Sequence, residues 1–291
     1  MFSKSSLDSS SQWWGYGGSF LAYTKFLASM ALQLLQWNVR GILAHRQEFY
    51  QLLSVNTFNI ICLQESFLKP NKEYCSPGYN SIRSDKHAPK GGLVTFIRSG
   101  LVYTENQRPA NMECQSVTVN TTAGPIIVIN VYVSPGTDTT FPLFADLFSS
   151  TNTIVLGDFN ALNCLWGSHT NDARRILLKT AITTNNYVVL NNGQGTHQTN
   201  NGTMTCIDVS IVSRILATKC TWSVFNNLMG SDHAPIKITF NARSLLFQNG
   251  SLLWQTGYFF NIQQKIKLII LLQAKTTMLN ILTIRVSTSS F

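Results

Sequence analysis

Six apolar runs along this chain each end in a short polar tip, and that recurrence restricts its fold more than any other feature. In order the tips are Gln36-Trp37-Asn38-Val39-Arg40-Gly41, Leu63-Gln64-Glu65-Ser66, Asn130-Val131-Tyr132, Gly157-Asp158-Phe159-Asn160-Ala161, Ile207-Asp208-Val209-Ser210 and Ser231-Asp232-His233. A brief apolar run bounded by polar or turn residues reads as a buried strand that surfaces at its end. Several such strands packed together can bring their tips to one rim, where sites on rigid scaffolds lie.

The rest of the chain supports a strand-rich reading. Ala31 to Asn38, Phe58 to Leu63, Leu93 to Ile97, Thr153 to Leu156, Tyr187 to Leu190, Cys206 to Val212, Thr221 to Phe225 and Ile236 to Phe240 are expected strands. Ser116 to Asn120 pairs naturally with Pro125 to Val133 across a Thr-Thr-Ala-Gly turn. Helical spacing marks Phe49, Leu52 and Leu53, then Phe141 to Phe148, then Asp172 to Thr183 with Asn171 or Asp172 as its cap. Strands and helices interleave without a regular βαβ repeat. Two mixed sheets packed face to face with helices outside, a layered α/β sandwich, satisfy that order.

Both ends differ from the middle. Residues 1–30 are rich in Ser, Gly and Trp without a sustained period and are expected to lie outside the fold. The domain is expected over 31–241, followed by a basic tail over 242–291 that is poorly ordered or partly helical, with Ile262 to Leu272 as its one helical stretch. The formal charge is +9, but six cations and no acid lie beyond Asp232, so the basicity belongs mostly to the tail. No run is long enough for a membrane helix, and no secretory leader is evident, so a nuclear or cytoplasmic protein that is not secreted is expected. The six cysteines form no C-x-x-C pair and are expected to be reduced thiols.

Taken singly, each tip has a plain structural explanation. Asp158 and Asn160 can cap their own turn, with Phe159 sent to the other side. Glu65 can be an exposed strand-end acid and His233 a loop histidine, while Tyr132 and Asn38 can be satisfied core-edge residues. Together they offer carboxylates for a hard cation, a carboxylate for proton transfer and an imidazole with a possible carboxylate partner in Asp208, which is phosphate-handling chemistry. His45, His87, His169 and His197 have no acidic neighbour in a comparable setting and are read as ordinary surface histidines.

As an ordered set over Leu34 to Phe240, the tips resemble the endonuclease/exonuclease/phosphatase superfamily, and most closely the apurinic-endonuclease-like domain of non-LTR retrotransposons. Leu165-Trp166-Gly167-Ser168 is similar to the retroelement branch, with Trp166 as a structural residue. The resemblance implies a DNase I-like four-layer sandwich, Mg²⁺ or Mn²⁺ as cofactor, DNA as partner, and a cut that leaves a 3′-hydroxyl to prime reverse transcription. By position, Glu65 would bind the metal with Asn38 and Asp232. Asp158 would move the proton with Asn160 orienting the same groups, Tyr132 and His233 would touch the scissile phosphate, and Asp208 would hold His233.

Arg40 stands where many repair members carry Asp, which suits the retroelement branch and a DNA contact, or equally an ion pair at the rim. Thr196 and Thr205 are candidates for a further phosphate contact. Two other readings stay open: a lipid or small-molecule phosphatase of the same fold, and an inactive or truncated retroelement fragment.

Overall fold

The computed structural model describes residues 31–107, 112–167, 173–244, 246–248 and 251–253. The expected helix at Ile262 to Leu272, the cap at Asn171 or Asp172 and the segment 1–30 lie outside the described residues. Two six-stranded mixed sheets form the body. The first contains β1 (Ala31–Asn38), β2 (Ile60–Gln64), β3 (Tyr79–Ser84), β4 (Leu93–Arg98), β13 (Cys220–Val224) and β14 (Ile236–Arg243), in the order β13-β14-β1-β2-β4-β3. The second contains β5 (Tyr103–Glu105), β6 (Glu113–Thr121), β7 (Gly124–Tyr132), β8 (Thr153–Asp158), β9 (Tyr187–Val189) and β12 (Asp208–Ser213), in the order β5-β6-β7-β8-β12-β9. Short strands β10 (His197–Gln198) and β11 (Met204–Thr205) make a separate hairpin.

At the centre of each sheet two strands run parallel, β1 with β2 and β7 with β8, so both pairs end on the same side. Alternation then decides what each end contains, because successive side chains point to opposite faces of a sheet. On β1, Leu32 and Leu34 face the inter-sheet core, whereas Leu35 and Trp37 face the outer layer. Continued along the strand, the inward column reads Leu34, Gln36, Asn38. The corresponding columns are Ile60, Cys62, Gln64 on β2; Val128, Asn130, Tyr132 on β7; and Ile154, Leu156, Asp158 on β8. Each column passes from apolar through polar groups toward the rim.

The polar middle of these columns joins the sheets. Gln36 Nε2 donates to the Gly157 carbonyl at 2.9 Å, and Ser210 Oγ donates to Gln36 Oε1 at 2.8 Å. Gln64 Nε2 donates to Asn130 Oδ1 at 2.7 Å, while Asn130 Nδ2 donates to the Leu63 carbonyl and to Thr95 Oγ1. Buried amides are costly unless satisfied, so these bonds pin one sheet to the other in a single register beneath the rim.

Helices cover the outer faces and complete four layers. Helix α1 (Arg46–Val55) places Phe49 and Leu52 against Trp37, Leu63 and Phe96. Helices α2 (Phe141–Ala145) and α3 (Ala173–Thr184) place Phe144, Leu178 and Ala181 against Val131, Val155 and Ile211, and a one-turn helix α4 (Arg214–Ala217) follows β12. Trp166 is fully buried in the same outer layer and donates from Nε1 to the Ala161 carbonyl at 2.9 Å.

Strand β14 runs to Arg243, two residues past the expected domain edge at 241. Its end is held by Thr122, whose amide donates to the Arg243 carbonyl at 2.8 Å and whose hydroxyl accepts from the Arg243 amide at 3.1 Å. Beyond it, β15 (Leu246–Gln248) and β16 (Ser251–Leu253) pair with each other. Among the described residues no helix is long and apolar enough to cross a membrane, and no disulfide joins the six cysteines.

Candidate active site

The rim of the sandwich gathers the tips of both sheets. Asn38, at the end of β1, donates from one amide nitrogen to Glu65 Oε1 and to Asp158 Oδ2, each at 2.9 Å, and so ties an acid of the first sheet to an acid of the second. Asp158 ends β8 directly beside Tyr132 of β7 and Asp208 of β12. The turn that follows folds back on it. The Asn160 amide donates to Asp158 Oδ1 at 2.9 Å, and Asn160 Nδ2 donates to Asp158 Oδ2 at 3.0 Å and to the Val133 carbonyl at 3.1 Å. Phe159 points the other way and is fully buried beside Phe144.

Four rim residues, Arg40, Glu65, Phe67 and Asn160, adopt positive φ without being glycine. Left-handed backbone costs an ordinary residue about 1 kcal/mol or more, and such strain concentrates where side chains must be aimed. Gly157 has a different reason to be glycine: a Cβ there would lie 2.1 Å from the Val131 carbonyl oxygen.

His233 enters from a loop pinned to β1. Trp37 Nε1 donates to the His233 carbonyl at 2.9 Å, and Ser231 Oγ donates to the Asn38 carbonyl at 2.8 Å. The His233 ring places Nδ1 2.8 Å from Asp208 Oδ2, with both side chains buried. Burial alone would lower the imidazole pKa, but the charge and hydrogen bond of Asp208, with Asp158 and Asp232 nearby, raise it to about 9. At neutral pH the ring is therefore a cation. The Asp158 pKa is raised as well: burial, then the Asp208 charge, lifts it to about 7 against the opposing pull of His233. Burial, then Glu65 and Asp158, holds the Tyr132 phenol well above its ordinary value, so it is a neutral donor.

Asp232 is differently engaged from the other acids. Its Oδ2 pairs with Arg40 Nη1 and lies 3.7 Å from His197 Nε2, and its Oδ1 lies 3.7 Å from His233 Nε2. Burial would raise its pKa, yet the neighbouring His197 and His233 and the Arg40 guanidinium outweigh it and hold the carboxyl well below the usual range. Asp232, grouped in sequence with Glu65 and Asn38 as a metal-site candidate, thus makes its contacts with Arg40, His197 and His233. Arg40 takes the ion-pair alternative, with its side chain still 43% exposed at the rim.

Both threonines are engaged within the protein. Thr196 is fully buried, and its hydroxyl accepts from the Asp208 amide at 3.3 Å, which leaves no surface for an incoming phosphate and makes it a brace for Asp208. Thr205 Oγ1 lies 2.9 Å from His197 Nδ1. The reading of His197 as an ordinary surface histidine is overturned, because the β10–β11 hairpin folds it onto the site with its ring 4.5 Å from that of His233. Arg174 also escaped notice. Its guanidinium donates to the carbonyls of Phe159, Asn160, Ser134, Pro135 and Thr137 at 2.9–3.3 Å, fastening the loops after β7 and β8. No spacing rule marks either residue, although an Arg in the first turn of a helix beside a second Arg was a visible oddity.

The donor set fits a hard divalent cation. Glu65, Asp158 and Asp208 are buried acids with the buried cation His233 among them, and Asp208 Oδ1 is buried without a hydrogen-bond partner among the described residues. Oxygen ligands with surplus negative charge suit Mg²⁺ or Mn²⁺.

Residues 126–237 match the family model described as endonuclease-reverse transcriptase. The chain is 25% identical over 224 residues to the RNA-directed DNA polymerase from mobile element jockey of Drosophila melanogaster, covering 74% of this chain and 24% of the relative. It is 26% identical over 227 residues to the probable RNA-directed DNA polymerase from transposon X-element of the same organism, covering 75% of this chain and 25% of the relative. The match thus spans about a quarter of the length of these relatives. Among solved structures, the fold is similar to the endonuclease domain of TRAS1, a telomere-specific non-LTR retrotransposon (TM-score 0.60, 20% identity, covering 72% of this chain and 98% of that one). It is similar also to AP endonuclease LMAP from Leishmania major (TM-score 0.62, 16% identity, covering 75% and 90%).

Proposed function

We propose that the chain belongs to the endonuclease/exonuclease/phosphatase superfamily and is a metal-dependent DNA endonuclease of the retrotransposon type. It would nick one strand of DNA and leave a 3′-hydroxyl from which reverse transcription is primed. The observation that carries this reading is the Asn38 amide bridging Glu65 and Asp158, with the Asp208–His233 pair alongside. This arrangement supplies a cation seat, a proton acceptor and a fixed positive charge in one place. The sequence relatives named as RNA-directed DNA polymerases support the retroelement setting over a small-molecule phosphatase.

In the reaction, a water oxygen attacks phosphorus and the 3′-oxygen departs, giving a 3′-hydroxyl and a 5′-phosphate. Mg²⁺, or Mn²⁺ in its place, held by Glu65 with Asn38 beside it, would neutralise charge on the phosphate and on the departing oxygen. Asp158, titrating near pH 7, takes the proton of the attacking water, bulk solvent supplies the proton that turns the departing 3′-oxygen into a hydroxyl, and Asn160 and Asn38 hold the carboxylate in place through both oxygens. His233, kept cationic by Asp208, and the neutral Tyr132 phenol donate to non-bridging phosphate oxygens.

A supercoiled-plasmid nicking assay with and without Mg²⁺ tests this reading. The wild type should convert supercoiled to open-circular DNA only with the metal, and Asp158→Ala and His233→Ala should each slow it by about 10²–10⁴-fold. No nicking by the wild type, or equal nicking by all three proteins, rejects it.

A further inference from the structure

A second donor group stands at the rim beside the carboxylate cluster. His197 begins β10, its backbone bridges that of His233, and the two rings lie 4.5 Å apart. Each ring has its δ nitrogen occupied, His197 by Thr205 Oγ1 at 2.9 Å and His233 by Asp208 Oδ2 at 2.8 Å. Both ε nitrogens therefore face Asp232, at 3.7 Å from its Oδ2 and Oδ1 respectively. The three ligand atoms lie within 4.8 Å of one another, and Asp232 Oδ1 is buried with no hydrogen-bond partner among the described residues.

We infer that His197, His233 and Asp232 form a separate site for an imidazole-seeking divalent cation of the Zn²⁺ class, and that filling it switches the hydrolase off. Two imidazoles and one carboxylate favour Zn²⁺ over Mg²⁺, which prefers oxygen ligands and sheds its water reluctantly. Bonds of about 2.0–2.1 Å in a tetrahedral zinc site set ligand atoms about 3.3 Å apart. The two 3.7 Å separations go to different oxygens of Asp232 and the three ligand atoms lie within 4.8 Å of one another, so side-chain rotations of at most about 1.5 Å close the site. The outer partners are those a histidine–zinc centre uses: a carboxylate and a hydroxyl fix which ring nitrogen faces the ion. Arg40, half-exposed on Asp232 Oδ2, can swing into solvent as the ion enters. The fourth position stays open to water.

Inhibition follows from the double use of His233. An imidazole bound to Zn²⁺ through Nε2 cannot donate from that atom to a substrate phosphate. This part rests on the nuclease reading; the binding part does not.

The test is Zn²⁺ calorimetry on the full chain in excess Mg²⁺, with Cys75→Ser and Cys164→Ser in the background because both cysteines are exposed and would compete. The parent should take up one ion, and His197→Asn should weaken it at least about tenfold. His197→Phe keeps an aromatic ring against His233 and serves if the Asn variant melts early. In parallel, Zn²⁺ should inhibit plasmid nicking by the parent, and His197→Asn should need at least about tenfold more Zn²⁺ for the same inhibition. Equal Zn²⁺ affinity in parent and His197 variants overturns the site. Specific binding without inhibition overturns the switch. If no protein nicks DNA while the calorimetric difference persists, the nuclease reading falls and the site stands.

Discussion

His233 Nδ1 sits 2.8 Å from Asp208 Oδ2 with both side chains almost wholly removed from solvent, so an ion pair underlies the rim where the catalytic groups meet. The pair joins the loop before β14 to the start of β12, and it sets the charge of the group meant to face phosphate. Because the His233 pKa is raised from 6.5 to about 9, the pair stabilises the fold fully below pH 6.5 and loses that contribution as pH rises through about 9.

The same values predict a bell-shaped pH profile for kcat/KM in saturating Mg²⁺. Activity should rise as Asp158 ionises near pH 7 and fall as His233 loses its proton near pH 9. Asp208→Asn removes the charge that raises both groups, so both limbs should move toward lower pH, with the alkaline limb shifting by at least about one unit. Plasmid nicking rates across pH check this; an unmoved alkaline limb would show that His233 does not titrate there.

Glu65 is a buried acid at the rim, bonded to the Asn38 amide and beside the Tyr132 phenol, and it is the group placed to hold a cation. Glu65→Gln should keep the fold, since the amide can still accept from Asn38, and should raise the Mg²⁺ concentration for half-maximal nicking at least about tenfold. Mg²⁺ titration of the nicking rate reads the shift, with the thermal midpoint as the folding control.

Arg174 bonds no reacting group among the described residues, yet its five carbonyl bonds hold the two loops that follow Tyr132 and Asp158, the second of which carries Asn160. Replacing it with Met should cost about 2–3 kcal/mol in urea unfolding, because a charged donor is lost and partly buried carbonyls are stranded. It should also lower kcat while leaving the Mg²⁺ requirement unchanged, which separates loop positioning from metal binding. A variant with full kcat would assign Arg174 to stability alone.

Much of this was legible along the chain. The period-two alternation of Leu34, Gln36 and Asn38, or of Ile154, Leu156 and Asp158, already states which side chains share a face. The hairpin of β6 and β7 was visible in its turn, and α1 and α3 in their spacing. Strands β3 and β5 were passed over because their side chains are largely polar and half-exposed, so neither carries an apolar pattern.

The partners were not legible. Asn38 and Asp158 are 120 residues apart, and Trp37 reaches the His233 carbonyl across 196. His197 looked like a solitary loop histidine because Asp232 and His233 become its neighbours only when a hairpin folds back onto the rim. Thr196 looked available to phosphate for the same reason in reverse, since the packing that buries it has no local signature.

The amino-acid sequence by itself determined the columns and their polar ends, because backbone geometry alone sends alternate side chains to opposite faces of a strand. Only the tertiary structure decided the charges. A raised Asp158, a cationic His233 and an Asp232 claimed by Arg40 all depend on burial and on distances between strands, which exist only once the two sheets are stacked.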